Sequence, residues 1–259
     1  MQSTDFPAST SKTSLPHVKT DIHHTPIPAY SACECETWRY LLSRQQTQWP
    51  DRACDEYLEA LEATGLSPAS IPQLADISDS IQHQTGWTIE RVDGIVPDQI
   101  FFAMLAARVF PSTDFIRKPE DIDYTPAPDM FHDLVGHAPL LTHPRFSNFF
   151  QRFGEAGSAA FAQNHPARVW LARIYWYSVE FGLIRSRQGL RIYGAGILSS
   201  HQEVSYSLSD ATTKHRFDLD HMAQTPYDVW HMQDTLFVID SFDQLENEFA
   251  RWTAHHGLA

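Results

Sequence analysis

Cysteine is scarce in this chain: three residues, Cys33, Cys35 and Cys54, in 259. An odd number cannot pair completely, and a chain of this length can build a core without covalent staples, so the three read as reduced thiols. Cys33-Glu34-Cys35 has no second cysteine pair with which to complete a zinc site. Basic residues are also few. Nineteen Lys and Arg face thirty-two Asp and Glu, for a formal net charge of −13, and no run of basic residues occurs. That balance argues against nucleic acid and anionic membrane surfaces as partners, since both select positive patches. No apolar run approaches the ~20 residues of a membrane span. The opening "MQSTDFPASTSKTSLPHVKT" lacks the charged-then-apolar pattern of a secretory signal. A cytoplasmic location is the expectation.

What is present is aromatic and histidine-rich: seven Trp, sixteen Phe, nine Tyr and fourteen His. Residues 1–28 carry Ser, Thr and Pro with few large apolar side chains, and are expected to be a flexible tail that cannot offset its ordering entropy. Residues 29–259 show no linker and no internal repeat, so they are expected to form one domain. Helical patterning dominates it. "ACDEYLEALEATG" stops at Gly65, and "SIPQLADISDSIQHQTG" opens near Pro72 and stops at Gly86. "PDQIFFAMLAARVF", residues 144–164 and residues 167–184 read as further helices. "SFDQLENEFARWTAHHG" adds a Ser241/Gln244 capping box and a Gly257 stop. "WTIERV", "GLRIYGAG" and "TLFVID" read as short strands. The fold class is therefore α+β, predominantly helical.

The chemistry concentrates in "YTPAPDMFHDLVGHAPLL", where His132 and His137 lie five residues apart. A lone histidine is most often an ordinary core or surface residue, and His255-His256 is such a pair. The apolar surroundings of His132 and His137 mean that a buried imidazole there needs a partner. A spacing of four puts two ligands on one helical face. A spacing of five separates them by about 140° on an ideal helix. They converge only if the helix is distorted or ends between them, as Gly136 and Pro139 would allow. The third element is "RIYWYSVEFGLI", apolar on every side with Glu180 in its middle. A buried carboxylate must be neutralised, paired or bound to a cation. Arg173 and Arg185 are poorly placed to pair with it. His132, His137 and Glu180 can therefore be joined as two histidines and a carboxylate, the set that holds Fe(II) for O₂ activation. The same ligands also serve zinc, with Asp133 then in the place of a hydrolase base.

Beyond these residues, the chain resembles the catalytic domain of the pterin-dependent aromatic amino acid hydroxylases, most closely the single-domain bacterial phenylalanine 4-monooxygenases. The resemblance runs through "RACDEYLEALEATGLSPASIPQL", "GIVPDQIFFAMLAARVF", "PDMFHDLVGHAPLL", "IYWYSVEFGL", "IYGAGILSS" and "LFVIDSF". It implies Fe(II) at His132, His137 and Glu180, a tetrahydropterin stacked on Phe101 and held by Gly94, Val96 and Asp98, and O₂ as cosubstrate. It further implies that Asp133 meets the pterin through water and that Tyr175 lines the space between iron and pterin. For the amino acid, it implies Arg117 as the carboxylate clamp and Thr125, Gly196 and Ser199 as hydrogen-bonding partners. Glu203 would orient the Arg117 network, with Trp176 and Phe110 or Pro128 walling the ring pocket. A monomer is implied, because no tetramerising helix follows.

Within the resemblance, Trp176 favours phenylalanine or tyrosine over tryptophan, and Val229 stands where a tyrosine-specific member is expected to carry an acid. L-phenylalanine going to L-tyrosine is the leading reading. Altered substrate or regiochemistry, giving meta-tyrosine or 5-hydroxytryptophan, is the alternative. Ala127 replaces an expected Glu, His201-Gln202 replaces a small residue, and "WHMQDT" replaces a Phe-Gln-Pro run. A zinc hydrolase and a non-catalytic binder of amino acid or pterin remain as rivals.

Overall fold

The computed structural model describes residues 29–125 and 127–259, so the tail expected over residues 1–28 lies outside the described residues. The chain enters through three helices, α1 (Ala32–Gln46), α2 (Asp55–Thr64) and α3 (Leu74–Thr85). Ser31 caps α1 reciprocally with Glu34. Gly65 and Gly86 end α2 and α3 at φ 68° and 77°, the left-handed cap that glycine adopts without strain. Strand β1 (Thr88–Arg91) then pairs in parallel with β2 (Val109–Ser112) across the intervening α4 (Asp98–Ala106). The expected helix at residues 97–110 is thus shorter, and its last four residues belong to other structure. Ala107 caps it, Arg108 takes φ 57°, and Val109 and Phe110 enter the β2 strand.

Helices α5 (Ala138–Leu141), α6 (Pro144–Ala162) and α7 (Ala167–Tyr175) form the centre. On α6, Phe146, Phe149, Phe150 and Phe153 are fully or almost fully buried, an i, i+3, i+4, i+7 stripe facing the core. Phe153 meets Tyr175 at 5.7 Å and Phe249 at 5.6 Å between ring centroids. The opposite contact, with α4, is backbone-close. A Cβ added at Gly157 would lie 2.0 Å from the Phe102 ring, and one at Gly154 would lie 2.2 Å from the Ala106 nitrogen. Gly157→Ala is therefore expected to cost about 1–3 kcal/mol by overpacking. Thermal unfolding should show it as a fall of roughly 2–4 °C per kcal/mol; an unchanged melting temperature would mean that α4 yields freely.

Residues 167–184 differ most from expectation. They do not form one helix. α7 ends at Tyr175, a π-helical stretch runs Trp176–Glu180, and strand β3 (Leu183–Ser186) follows. Gly182 makes the turn, where a Cβ would strike Tyr193 at 2.1 Å, and the apolar residues after it are recruited by sheet pairing. β3 pairs antiparallel with β4 (Gly189–Ile192) and parallel with β6 (Thr235–Ile239), and β5 (Thr213–Arg216) pairs with the far side of β6. The order is β4-β3-β6-β5. Between β4 and β6 lie α8 (Ala195–Leu198), α9 (His201–Leu208) and α10 (Leu219–Gln224). α11 (Phe242–His255) closes the chain. Ser241 caps it by accepting the Gln244 N–H, but the Gln244 side chain accepts from the Asp240 N–H, so the expected capping box is half formed.

Candidate metal centre and active site

His132 and His137 are carried by a π-helical stretch, His132–His137. Its wide turn, seen in the Ala138 N–H bonding to Asp133 O, brings residues five apart onto one face, which an α-helix cannot do. Gly136 permits the stretch to lie against α8, since a Cβ there would sit 2.8 Å from Ala195 O. Pro139 does not stop the helix as its sequence position suggests. It occupies the first turn of α5, where its missing N–H is tolerated. Glu180 ends the second π-helical stretch, closed by the Phe181 N–H to Trp176 O at 2.9 Å.

The three side chains converge. The two Nε2 atoms are 3.0 Å apart, His137 Nε2 is 3.1 Å from Glu180 Oε1, and His132 Nε2 is 3.7 Å from Glu180 Oε2. One donor atom from each lies within 4.8 Å of the others. Neither arginine considered for Glu180 pairs with it: Arg173 donates to Ala223 O and Arg185 to Asp240. Burial alone would raise the Glu180 carboxyl, but His137, His132 and the donated Tyr175 hydroxyl together hold it down to about 2. Burial lowers His132 to about 4, against the opposing pull of Glu180. Burial also pushes the Tyr175 hydroxyl far above its ordinary range, so it remains a donor.

The tautomer of His132 follows from its neighbours. Ser199 Oγ lies 2.9 Å from His132 Nδ1 and gives its own proton to Ala195 O at 2.8 Å. Nδ1 must then be the donor, which leaves a lone pair on Nε2. That lone pair faces the second imidazole nitrogen and a carboxylate. Two imidazole nitrogens and a carboxylate already converged on one point are the donors a divalent cation takes, so the residues present fit a divalent metal.

A cavity of about 290 Å³ opens beside the triad. His132, His137, Glu180, Tyr175, Trp176, Asp133, Phe101, Gly94, Val96 and Asp98 all line it, as do Phe110 and Pro128. Phe101 meets Tyr175 edge-on at 5.6 Å, and Phe110 lies 5.1 Å from the His137 ring. Asp133 accepts from the Thr113 N–H at 2.8 Å and the Thr113 hydroxyl at 3.1 Å, yet burial still raises its carboxyl to about 7.

Arg117, Thr125, Gly196, Ser199 and Glu203 stand outside the cavity wall. Ser199 and Gly196 flank the triad: a Cβ at Gly196 would lie 3.1 Å from Glu180 Oε2. Thr125 donates to Ala127 O within its own loop. Arg117 is gripped by Asp129, with Nε to Oδ2 at 2.9 Å and Nη2 to Oδ1 at 2.7 Å. Glu203, expected to orient Arg117, is a buried carboxylate whose Oε2 has no hydrogen-bond partner among the described residues. Burial raises it to about 7, offset in part by the Gln233 N–H.

Sequence reasoning missed Asp129, Tyr227 and Gln233. Trp176 stacks on Tyr227 at 4.6 Å and donates its Nε1 proton to Gln233 Oε1 at 2.9 Å. Asp129 carried a usable signal, an acid set in the apolar stretch before His132. Tyr227 and Gln233 reach Trp176 only through tertiary folding.

Two imidazoles and a carboxylate on one side of a buried aromatic cavity define the ligand set of the non-haem iron oxygenases. The chain matches the biopterin-dependent aromatic amino acid hydroxylases over residues 14–257. It is 45% identical over 221 residues to the phenylalanine-4-hydroxylase of Ralstonia nicotianae, covering 85% of this chain and 70% of that one. Two structures of the Chromobacterium violaceum phenylalanine hydroxylase, one bound to cobalt and one with bound oxidized Fe(III), are each 42% identical to it. They superpose with TM-scores of 0.83 and 0.82, over 89% of this chain and 84% of theirs. The chain belongs to the biopterin-dependent aromatic amino acid hydroxylase family, and it is an aromatic amino acid monooxygenase.

Proposed function

We propose that the chain hydroxylates the ring of L-phenylalanine to give L-tyrosine, with Fe(II) held by His132, His137 and Glu180. The observation that carries the reading is the convergence of those three donors at the floor of an aromatic cavity. When bound, iron and tetrahydropterin supply the activation of O₂. The protein's own residues do the rest. Ser199 fixes the His132 ring with its lone pair inward, and His137 and His132, with a smaller contribution from Tyr175, keep Glu180 anionic.

Phe101, Gly94, Val96 and Asp98 are the proposed walls of the pterin subsite, with Asp133 at its metal end. Trp176, immobilised by Tyr227 and Gln233, is the proposed wall for the substrate ring. Arg117 is the proposed partner of the substrate carboxylate. Its Nε and Nη2 are spent on Asp129, so the guanidinium is oriented before substrate arrives. Thr125, Gly196 and Glu203 are proposed to complete that end. Walls of this kind hold both organic partners in register and exclude water.

We also read residues 29–259 as one catalytic domain that works as a cytoplasmic monomer. Three unpaired cysteines suit a reducing compartment, and a net charge of −13 opposes self-association. Among the described residues, no helix is long and apolar enough to cross a membrane.

The test supplies the Fe(II)-loaded protein with tetrahydropterin, O₂ and equal Phe, Tyr and Trp. Phenylalanine should gain one oxygen atom in mass and co-elute with para-tyrosine. Hydroxylated tryptophan, dihydroxyphenylalanine or meta-tyrosine as the main product would overturn the substrate or the position. Pterin oxidation without any hydroxylated amino acid would overturn the substrate class.

A further inference from the structure

Two carbonyl groups behind the triad are held from a distant part of the chain. The first is Val135 O, inside the stretch that carries both histidines. In an α-helix it would take the N–H four residues on, but that residue is Pro139, which has none. Tyr57, on α2, supplies its hydroxyl proton instead, at 2.8 Å. The second is Leu198 O, at the end of α8. It receives Gln45 Nε2 at 2.8 Å and Trp49 Nε1 at 3.0 Å. Leu198 immediately precedes Ser199, whose hydroxyl orients the His132 ring. Tyr57 and Gln45 are 0% exposed and Trp49 is 2% exposed. The Tyr57 and Trp49 rings brace each other edge to face at 5.6 Å.

None of these three residues lines the cavity or touches the triad, yet they fix the two backbone segments that aim its imidazoles. We infer that Tyr57, Gln45 and Trp49 are positioning residues for the metal, a donor clamp through which the N-terminal helices set the orientation of His132 and His137. The inference rests on the proposed metal site. The physical reason is that a π-helical turn is a sparsely used geometry and an imidazole ring swings with its backbone. Loss of an outer partner that aims a ligand typically weakens metal binding about 10–100-fold.

Tyr57→Phe removes one oxygen and preserves the ring. Gln45→Met removes the donor at Leu198 O at little other loss, since Gln45 Oε1 has no hydrogen-bond partner among the described residues. Trp252→Phe is the control. It deletes another indole donor on α11, Nε1 to Asp220 at 2.8 Å, which lies outside the cavity lining and holds neither of the two carbonyl groups. Each full-length protein is titrated with Co(II), and the dissociation constant and the ligand-field absorption of the bound ion are recorded.

Tyr57→Phe should bind Co(II) about 10–100-fold more weakly than wild type, with an altered absorption envelope. Gln45→Met should shift both in the same direction but less, because Trp49 still holds Leu198 O. Trp252→Phe should lose thermal stability while leaving both readouts unchanged. Wild-type affinity and envelope in both clamp variants would overturn the inference and leave the metal site standing. If Tyr57→Phe does not fold, Gln45→Met decides alone on the same criteria. A wild-type protein that binds no Co(II) would overturn the metal site itself, and this inference with it.

Discussion

Glu180→Gln is expected to abolish cation binding and to lower hydroxylation by more than about 100-fold, since outer partners alone account for 10–100-fold and Glu180 is the proposed ligand itself. The substitution keeps shape and removes charge. At neutral pH Glu180 is the anion of the triad, because its carboxyl is held down to about 2. It faces two imidazoles, of which His132 is lowered to about 4 and is therefore neutral. Without the carboxylate, a divalent ion would meet two neutral nitrogens and an amide in a buried site, and its desolvation would go uncompensated. The metal-free fold should fare differently. Without metal the carboxylate accepts from His137 at 3.1 Å, a contact the glutamine oxygen keeps in weaker form while its Nε2 can reach the His132 lone pair, so the protein should still fold with a melting temperature modestly below wild type.

Metal makes the difference visible. A ligand at 100 times its dissociation constant stabilises the native state by about 2.7 kcal/mol. For a protein of this size that is roughly 5–11 °C. Wild type should show that rise with Co(II) and Glu180→Gln should show none. An equal rise in both would remove Glu180 from the ligand set. A rise in neither, with Co(II) well above micromolar, would remove the site.

Glu180 and the two histidines were legible because each broke a local rule: a carboxylate in a helix apolar on every side, and two imidazoles at a spacing no α-helix brings together. What could not be read was how the spacing would be resolved. Hydrophobic period distinguishes helix from strand, but a π-helical turn differs by one residue in its hydrogen bonding and leaves almost no trace in composition. The same limit explains residues 167–184. Their mainly apolar character runs from α7 through the π-helical stretch into β3 with no change of pattern at either boundary, and only Gly182 and the pairing of Leu183 with Ile192 and Val238 show where the element changes. Central strands and buried helices look alike over four residues. Asp129 was missed for another reason. Attention to Arg117 as a binding group left open what holds it, and its partner lies twelve residues on, across a loop.

That partnership sets the second large effect. Arg117→Ala is expected to cost about 3–5 kcal/mol, because it strands a buried anion. Asp129 is 0% exposed and Arg117 8%. The carboxylate accepts three bonds from Arg117, including its backbone N–H at 2.9 Å, and a fourth from the His132 N–H at 3.1 Å. Arg117→Lys should recover little, since an ammonium cannot reproduce the paired Nε and Nη2 contacts. Removing both charges should recover much more. In Arg117→Met/Asp129→Asn no buried charge is left alone, although the amide oxygen can serve only one of the two backbone donors, which reach different oxygens of the carboxylate.

Acid unfolding separates this account from simple loss of packing. Burial opposes the Asp129 charge, but the Arg117 contacts win and hold its carboxyl below the ordinary 3.8. A depressed native value means that the unfolded chain binds more protons, so the pair's contribution is present above about pH 4 and is lost as pH falls below it. Wild type should therefore lose stability in that acid window more steeply than the doubly neutral variant, with the two urea-unfolding midpoints converging as pH falls. Parallel curves would show that the ion pair contributes nothing through charge. The doubly neutral variant should bind Co(II) nearly as wild type does and yet hydroxylate poorly, with the loss carried by a raised KM for the amino acid. A normal KM there would take the substrate carboxylate away from Arg117 and leave it only the task of holding Asp129 beneath the turn that bears His132.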